Sequence, residues 1–206
     1  MGINIEDLNN SQIDVLKEVG NIGAGNAATA LAKMLNKKIE MDVPKIKVLD
    51  FTKVNEILGG EEIIVVGILL RVKGDLNGSI MFILELSAAH TLVNMLLGYP
   101  VDDLSDFNEM SISALKEIGN ILAGSYITAL STLTGLSILP SIPVMAIDMA
   151  GAIISVPAIH FSTVGDTVLY IETVFSEGSN RVVGDFFLVP DMESYDVLLK
   201  ALGVLG

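Results

Sequence analysis

LKEVGNI at Leu16–Ile22 returns as LKEIGNI at Leu115–Ile121, ninety-nine residues further along the chain. Charged, glycine and amide residues recur in the same order, which is much harder to obtain by chance than a recurrence of apolar residues. In a chain of 206 residues, such a repeat divides the sequence into two similar halves. The sequence therefore predicts an internal duplication in which both halves share one core.

Both copies of this stretch are predicted to lie in long helices. Ser11 and Asp14 have the S-x-x-D spacing of a helix start, and an apolar stripe at helical spacing follows to about Leu35. The same pattern in the second copy predicts a helix from Met110 to about Thr134. The repeated motif is therefore expected on two equivalent helices.

Helical placement at about 100° per residue separates two faces of the first helix. Three polar residues share one face: Asp14, Glu18 and Asn21. The opposite face is apolar and is predicted to pack on the core, with Leu16, Val19 and Ile22 as its anchor beside Val15, Ala27, Ala30 and Met34. The polar residues should therefore point away from the core.

The remainder of each half predicts strands followed by a helix. Residues 39–51 alternate around Pro44 in the manner of an edge strand. Each half then has a hairpin and a helix, predicted at 62–72, 79–86 and 87–97 in the first half and at 167–175, 181–189 and 191–202 in the second. The predicted fold class is α/β (α+β), with two pseudo-symmetric repeats, antiparallel strands in a shared sheet, and the two long helices on one side.

We predict one domain, residues 1–206, made of two repeats. The first repeat is expected at 11–98 and the second at 110–206. Residues 99–109 are polar and acidic and contain Pro100, which is typical of a linker.

Composition excludes several kinds of site. The chain has no cysteine, so disulfides, thiolate nucleophiles and cysteine-bound zinc are excluded. The two histidines, His90 and His160, stand far apart, so each is expected to be a solitary residue and no metal site is predicted. The net charge is −13, and the 12 lysines and arginines do not cluster along the sequence. Binding to nucleic acid or to anionic lipid is therefore not expected.

A membrane segment is not expected, although 51% of the residues are hydrophobic. The most apolar run, residues 139–161, is interrupted by three prolines and an aspartate. The amino end carries Glu6 and Asp7 instead of a basic leader. These features predict a cytoplasmic protein without membrane insertion.

The polar stripe is itself repeated. Asp14, Glu18 and Asn21 are spaced i, i+4, i+7, and the second copy places Ser113, Glu117 and Asn120 at the same spacing. One such stripe alone is typical of a solvated helix face. Diverged halves have no structural reason to keep glutamate and asparagine in register, and asparagine is a poor residue for the middle of a helix. The repetition therefore favours a functional site on each helix.

A proline follows each asparagine after twenty-two intervening residues, at Pro44 and Pro143. The pattern [Asp or Ser]-x3-Glu-x2-Asn-x22-Pro, present twice, resembles the CheC phosphatases of bacterial and archaeal chemotaxis, which are related to CheX and to the flagellar-switch protein FliY. The resemblance covers essentially the whole chain. It implies a hydrolase that removes the aspartyl phosphate from the response regulator CheY.

The resemblance also implies a role for each residue of the motif. Asn21 and Asn120 are expected to orient the attacking water, and Glu18 and Glu117 to pair with a lysine of the regulator. The regulator supplies the acyl phosphate and Mg²⁺, so this chain is expected to bind no cofactor or metal of its own. A carboxamide suits the task, because it accepts a hydrogen bond from water and donates one to a phosphoryl oxygen.

The supporting positions have more than one interpretation. Asp14 and Ser113 either contact the regulator or form a hydrogen bond at the helix start. Pro44 and Pro143 are expected to shape the chain beside the site rather than take part in the chemistry.

Beyond the asparagines the two copies diverge, with GAGN at Gly23–Asn26 and LAGS at Leu122–Ser125. The two sites are therefore expected to differ in activity. The glycines of the first copy lie within a helical pattern with no strand before them, so a phosphate-binding loop is not favoured. They are instead expected to allow the close approach of another backbone.

A non-catalytic function is the alternative. CheC proteins also bind the receptor deamidase CheD, and Asp148 lies in a small-residue segment, VMAIDMAGA, that is a possible contact for it. The simpler interpretation is a buried or strand-end aspartate. Under the alternative, the protein is an adaptor that holds CheD and the response regulator without catalysis.

Overall fold

Two repeats of helix, strand, hairpin and helix follow one another along the chain. A computed structural model describes residues 10–98, 107–160 and 167–203. In the first repeat the elements are α1 (Asn10–Leu35), β1 (Glu40–Asp50), α2 (Val54–Ile57), β2 (Ile64–Gly74), β3 (Gly78–Glu85) and α3 (Leu86–Leu97). In the second they are α4 (Glu109–Thr134), β4 (Ile138–Pro140), β5 (Val144–Met149), α5 (Ala150–His160), β6 (Thr167–Glu177), β7 (Asn180–Pro190) and α6 (Met192–Ala201).

The ends of these helices follow from local chemistry. Asn108 caps α4, its side chain accepting a hydrogen bond from the Ser111 backbone N–H at 2.9 Å. Gly98 ends α3 and Gly135 ends α4, each with the positive φ that a left-handed helix cap requires (75° and 73°). Most of the predicted linker, residues 99–106, lies outside the described residues, and Glu109 is the first residue of α4.

The seven strands of the described residues form one antiparallel sheet, as predicted. The order of the strands is β1-β6-β7-β3-β2-β4. Strand β5 pairs with the same edge of β2 as β4 does, at Ile64–Leu69, whereas β4 pairs at Val72–Gly74. The first strand of each repeat pairs with the hairpin of the other repeat: β1 lies on β6, and β4 and β5 lie on β2. The two repeats therefore exchange strands across the sheet.

Helices cover both faces of the sheet. One face carries α1, α3, α4 and α6, and its core includes Leu16, Val19, Leu115, Ile118 and Phe186. The other face carries α2 and α5 over a smaller cluster that includes Val54 and Ile153. The two long helices lie on the same side and pack against each other, as the sequence predicted. Within the described ranges, none of the helices is long and apolar enough to span a membrane.

The contact between α1 and α4 is asymmetric. Tyr126 of α4 sits over Gly23 of α1, where an added Cβ would come within 2.7 Å of the ring carbon Cε1. The Tyr126 hydroxyl is 3.1 Å from Thr173 Oγ1, its ring lies 4.4 Å from that of Phe186, and burial raises its pKa to about 12. The glycine therefore makes room for a side chain, not for another backbone as expected. At the equivalent positions of the other copy the sizes are reversed, with Leu122 and Ala27.

The buried stripe of α1 departs from the helical-wheel prediction toward its end. Leu16, Val19 and Ala27 are buried, but Ile22 is only half-buried and Met34 is 45% exposed. The stripe continues through Leu31 instead. Because α1 packs on α4 as well as on the sheet, its inner surface is set by two neighbours, which a single apolar stripe cannot represent.

On the other face of the sheet, a half-buried carboxylate shares a hydrogen-bond network with a surface ion pair. Tyr170 Oη donates to Asp185 Oδ1 at 2.9 Å and to Glu172 Oε2 at 3.3 Å, and Glu172 also pairs with Lys45 Nζ at 2.8 Å. The pKa of Asp185 is raised from 3.8 to about 6, mainly by burial. The negative charges of Glu172 and Glu85 raise this pKa further. Ionised Asp185 is therefore less favourable in the folded protein than in the unfolded chain.

This pKa shift predicts a pH-dependent stability difference between the wild type and Asp185→Asn, which keeps the acceptor oxygen for Tyr170. The stability that protonated Asp185 contributes is complete below about pH 3.8 and is lost as the pH rises through about 6. Between about pH 4 and 7, we expect Asp185→Asn to gain about 2 kcal/mol in unfolding free energy relative to the wild type. Urea unfolding at several pH values measures it, and a constant difference would contradict the raised pKa.

Candidate active site

The repeated polar residues lie on exposed faces of α1 and α4. Glu18 and Asn21 are exposed on α1, and Glu117 and Asn120 are exposed on α4. The residues between them are buried, Val19 in one helix and Ile118 in the other. Each helix is thus fixed to the core by its apolar face. The opposite face presents the glutamate and the asparagine to solvent.

Asp14 and Ser113 extend each polar stripe by one turn. Both are exposed, and each is the fifth residue of its helix. That position is too far inside a helix for a cap, and α4 is capped by Asn108 instead. Asp14 accepts a hydrogen bond from Lys17 Nζ at 3.2 Å. The helix-start interpretation is therefore wrong for both residues, and a contact with a partner remains the prediction.

The two prolines lie at corresponding irregularities of the sheet edge. Pro44 is exposed in β1, where the pairing with β6 shifts register between Asp42 and Lys45. Pro143 is half-buried and is the last of the three residues, 141–143, that separate β4 from β5. Because proline has no backbone N–H to donate to a ladder, it interrupts pairing in both copies.

Asn21 and Pro44 come together in a cleft between α1 and β1. The cleft has a volume of about 380 Å³ and is lined by Lys17, Asn21, Val43, Pro44, Lys45, Ile46 and Lys47. Gly20 helps to form it, because a Cβ there would lie 3.2 Å from Val43 Cγ1, so the helix can approach the strand closely. The structure therefore places two residues that are distant in sequence on one surface.

Three lysines are among the residues that border this cleft, but the side chains of two of them lie on the opposite face of the sheet. Lys17 lies one turn before Asn21, and Lys45 and Lys47 follow Pro44 in alternation on β1. Lys45 and Lys47 stand opposite Glu172 and Tyr170 in the pairing with β6, whereas Ile46 packs on the core under α1. Because side chains alternate along a strand, the two lysines point away from the helix that carries Asn21.

The second copy has a different border. Ninety-nine residues on, Lys45 and Lys47 correspond to Val144 and Ala146. Val144 is 56% exposed, and Ile142, just before Pro143, is 83% exposed. α4 packs against both β4 and β5, which carry this border. Val144 stands opposite Leu69 in the pairing with β2 and lines a pocket with Ile153 of α5, so its side chain lies on the face of the sheet opposite α4.

Asp148 is neither buried nor near the repeated stripes in sequence. It is exposed on β5, one residue from the end of the strand, and accepts a hydrogen bond from the Met149 backbone N–H at 2.8 Å. The strand-end interpretation is therefore correct in position, and its exposure leaves it accessible to a partner.

The two histidines lie on different helices. His90, on α3, is 3% exposed and stacks on Phe107 with ring centroids 4.2 Å apart, and His160 is the last residue of α5. Among the residues that the structure describes, no group of three or more histidine, aspartate and glutamate side chains is arranged to hold a metal ion. The chemistry available at the stripes is that of a carboxylate and a carboxamide. Such a pair can orient water and form an ion pair.

Comparison with known proteins links these features to one family. The family model described as the CheC-like family matches residues 12–48 and 110–146, which cover most of α1 with β1 and most of α4 with β4 and β5. The CheY-P phosphatase CheC of Bacillus subtilis (strain 168) is 44% identical over 196 residues, covering 93% of this chain and 94% of that protein. The flagellar motor switch phosphatase FliY of the same strain is 28% identical over 129 residues, or 62% of this chain and 33% of that protein.

A solved structure shows the same fold. The crystal structure of Thermotoga maritima FliY matches with a TM-score of 0.72 at 22% identity, covering 96% of this chain and 98% of that one. The agreement in fold accompanies a sequence relationship that spans nearly the whole chain. This chain belongs to the CheC-like family.

Proposed function

We propose that this protein is a protein aspartyl-phosphate phosphatase that dephosphorylates CheY-P. The observation that carries the proposal is the pair of exposed Glu-x2-Asn stripes on two packed helices, each held to the core by its apolar face. Membership of the CheC-like family supports the same activity. The protein hydrolyses the acyl phosphate of CheY and so shortens the chemotactic signal.

In the proposed reaction, each helix docks on the phosphorylation site of the regulator. Asn21 or Asn120 accepts a hydrogen bond from water and donates one to the phosphoryl group, which aligns the water with phosphorus. Water attacks phosphorus, and the bond to the aspartyl oxygen breaks to give inorganic phosphate and a free carboxylate. Glu18 or Glu117 pairs with a lysine of the regulator and fixes the register of the two proteins.

The regulator contributes the remaining groups. Mg²⁺ is proposed to be held by the phosphorylated regulator, where it neutralises charge on the phosphoryl oxygens. This chain then needs no nucleophile of its own, because catalysis consists of orientation and electrostatic stabilisation. The role of water-positioning asparagine parallels that of the glutamine in GTPases.

The direct test is phosphate release from purified phosphorylated CheY with Mg²⁺ present. The full chain is expected to accelerate release over the rate of CheY alone, at protein concentrations far below that of the substrate. Unchanged release at any concentration of the chain would exclude the phosphatase function.

Since the substrate is a cytoplasmic regulator, we also place the protein in the cytoplasm, and recovery in the membrane pellet after cell fractionation would contradict this.

Binding of CheD is a further part of the proposal. Its support is the exposed carboxylate of Asp148 on the outer strand β5. We expect Asp148→Ala to weaken a complex with CheD while phosphate release continues, because Asp148 lies outside both polar stripes. Co-elution of CheD with the variant to the same extent as with the wild type would remove Asp148 from the contact. A CheD complex formed by a chain without phosphatase activity would favour the adaptor function instead.

A further inference from the structure

A glycine precedes the asparagine in both copies of the motif. Gly20 stands before Asn21 on α1, and Gly119 stands before Asn120 on α4. Both glycines are buried. Glycine is unfavourable in the interior of a helix, where alanine is the most favourable residue. Helix formation therefore does not explain why a glycine stands at this position twice.

Gly119 allows α4 to lie directly on strand β2 of the sheet. A Cβ at this position would lie 2.5 Å from Cγ2 of Ile68, about 1 Å closer than carbon atoms in ordinary contact. Ile68 is fully buried and branched at Cβ, so its methyl group cannot move aside. It pairs with Met145, two residues beyond Pro143. Gly119 therefore sets how closely the turn that carries Asn120 approaches the strands beside Pro143.

Gly20 has the equivalent place in the first copy, with a looser fit. A Cβ there would lie 3.2 Å from Val43 Cγ1 and 3.4 Å from Ile46 Cδ1, and Pro44 lies between these two residues along the strand. Both side chains are half-buried and belong to β1, at the edge of the sheet. A methyl group at Gly20 therefore requires a much smaller shift than one at Gly119.

We propose that Gly20 and Gly119 are positioning residues for the phosphatase reaction, each holding its helix at the distance from the sheet that places the following asparagine against the attacking water. This inference rests on the proposed phosphatase function. An asparagine side chain is short, so its carboxamide follows any displacement of the helix backbone. Attack in line with phosphorus depends on this geometry, and a displacement of about 1 Å can lower the rate about 100-fold. The longer side chain of each glutamate can follow such a displacement and keep its ion pair.

Substitution of Gly119 by alanine should therefore act on the rate rather than on docking. In the Asn21→Ala background, where only the second site keeps its asparagine, we expect Gly119→Ala to lower kcat at least about 10-fold and to change KM less than about 2-fold. Ile68→Leu removes the Cγ2 methyl that the added Cβ would meet, so together with Gly119→Ala it should restore kcat to within about 3-fold of the background. Phosphate release at several concentrations of phosphorylated CheY measures both constants, at a temperature at which circular dichroism shows each variant to be folded.

Two other glycines provide matched controls in the same background. At Gly67 an added Cβ would also lie 2.5 Å from an isoleucine Cγ2, that of Ile153, but on the opposite face of the sheet. Gly67→Ala should lower Tm about as much as Gly119→Ala, by about 5 °C, and leave kcat within about 2-fold. At Gly124 of α4, an added Cβ would meet nothing within 4 Å among the described residues outside its own turn of helix. Gly124→Ala should leave kcat unchanged and raise Tm slightly.

The first site provides a second arm, in the Asn120→Ala background. Gly20→Ala should lower kcat about 3-fold and the larger Gly20→Val at least about 10-fold, because the edge strand yields to a methyl group more easily than to a branched side chain. Gly25→Val is the matched control, since Gly25 is exposed on α1 with open space beside it, and it should change kcat less than about 2-fold. This arm decides the question even where Gly119→Ala fails to fold.

The outcomes distinguish this inference from the function on which it rests. A loss of kcat in Gly119→Ala that Ile68→Leu restores would support the inference. Equal kcat for Gly119→Ala and Gly67→Ala, or for Gly20→Val and Gly25→Val, would overturn it and leave the phosphatase function standing. Failure of the wild type to accelerate phosphate release would overturn both.

Discussion

Phosphate release from phosphorylated CheY should fall at least about 100-fold when Asn21→Ala and Asn120→Ala are combined, because each change removes the group that orients water. The loss should appear in kcat, since the glutamates of both sites remain available for docking. Both asparagines are exposed, so the fold has no packing to lose. Steady-state phosphate release at saturating substrate measures the effect.

Asn26→Ala provides the matched control for this experiment. Asn26 is another exposed asparagine of α1, lies outside the polar stripe, and does not line the cleft. Alanine has the higher helix propensity, so all three substitutions should leave thermal stability unchanged or slightly raised. A double variant that retains more than half of the wild-type kcat would show that the asparagines do not position the nucleophile.

The second large effect concerns stability and the contact between Gly23 and Tyr126. Gly23→Leu forces a side chain into the space occupied by the Tyr126 ring and should destabilise the protein by about 3 kcal/mol. Tyr126→Ala removes a ring that is 1% exposed and leaves Thr173 without its hydroxyl partner, which should cost about 4 kcal/mol. Urea unfolding followed by circular dichroism measures both.

The combined variant Gly23→Leu with Tyr126→Ala tests the reason for these losses. It combines leucine with alanine, the residues that stand at the two equivalent positions of the other copy, Leu122 and Ala27. We therefore expect the double variant to be more stable than the sum of the single effects by at least about 1 kcal/mol. Strictly additive losses would show that the two positions do not share one packing contact.

Local signals in the sequence were sufficient for most of the elements and for the exposure of the repeated polar residues. The helices around Leu16 and Leu115 follow from apolar periodicity, and the glycines at 98 and 203 mark helix ends that the structure confirms within a residue. The exposure of Glu18 and Asn21 follows from the same periodicity. Their proposed chemistry came from the family motif, because a polar stripe alone does not distinguish a site from a solvated surface.

Features that depend on distant parts of the chain were not predictable in the same way. Nothing in the alternation of β1 indicates that it pairs with β6, since any strand edge offers the same backbone groups. The cleft that brings Asn21 and Pro44 together depends on how α1 lies on β1. The role of Gly23 depends on Tyr126 of another helix. In each case the missing information is a contact between segments, not a local preference.

The exchange of strands between the repeats also determines how the chain can fold. During synthesis, β1 emerges more than a hundred residues before β6, with which it pairs from Glu40 to Asp50. Its hydrogen-bonding groups therefore remain without their sheet partner until most of the second repeat has been made. Such long-range pairing gives a high contact order, for which folding is slow. The edge of β1 is consequently closed only when the second repeat is complete, which ties the folding of each repeat to that of the other.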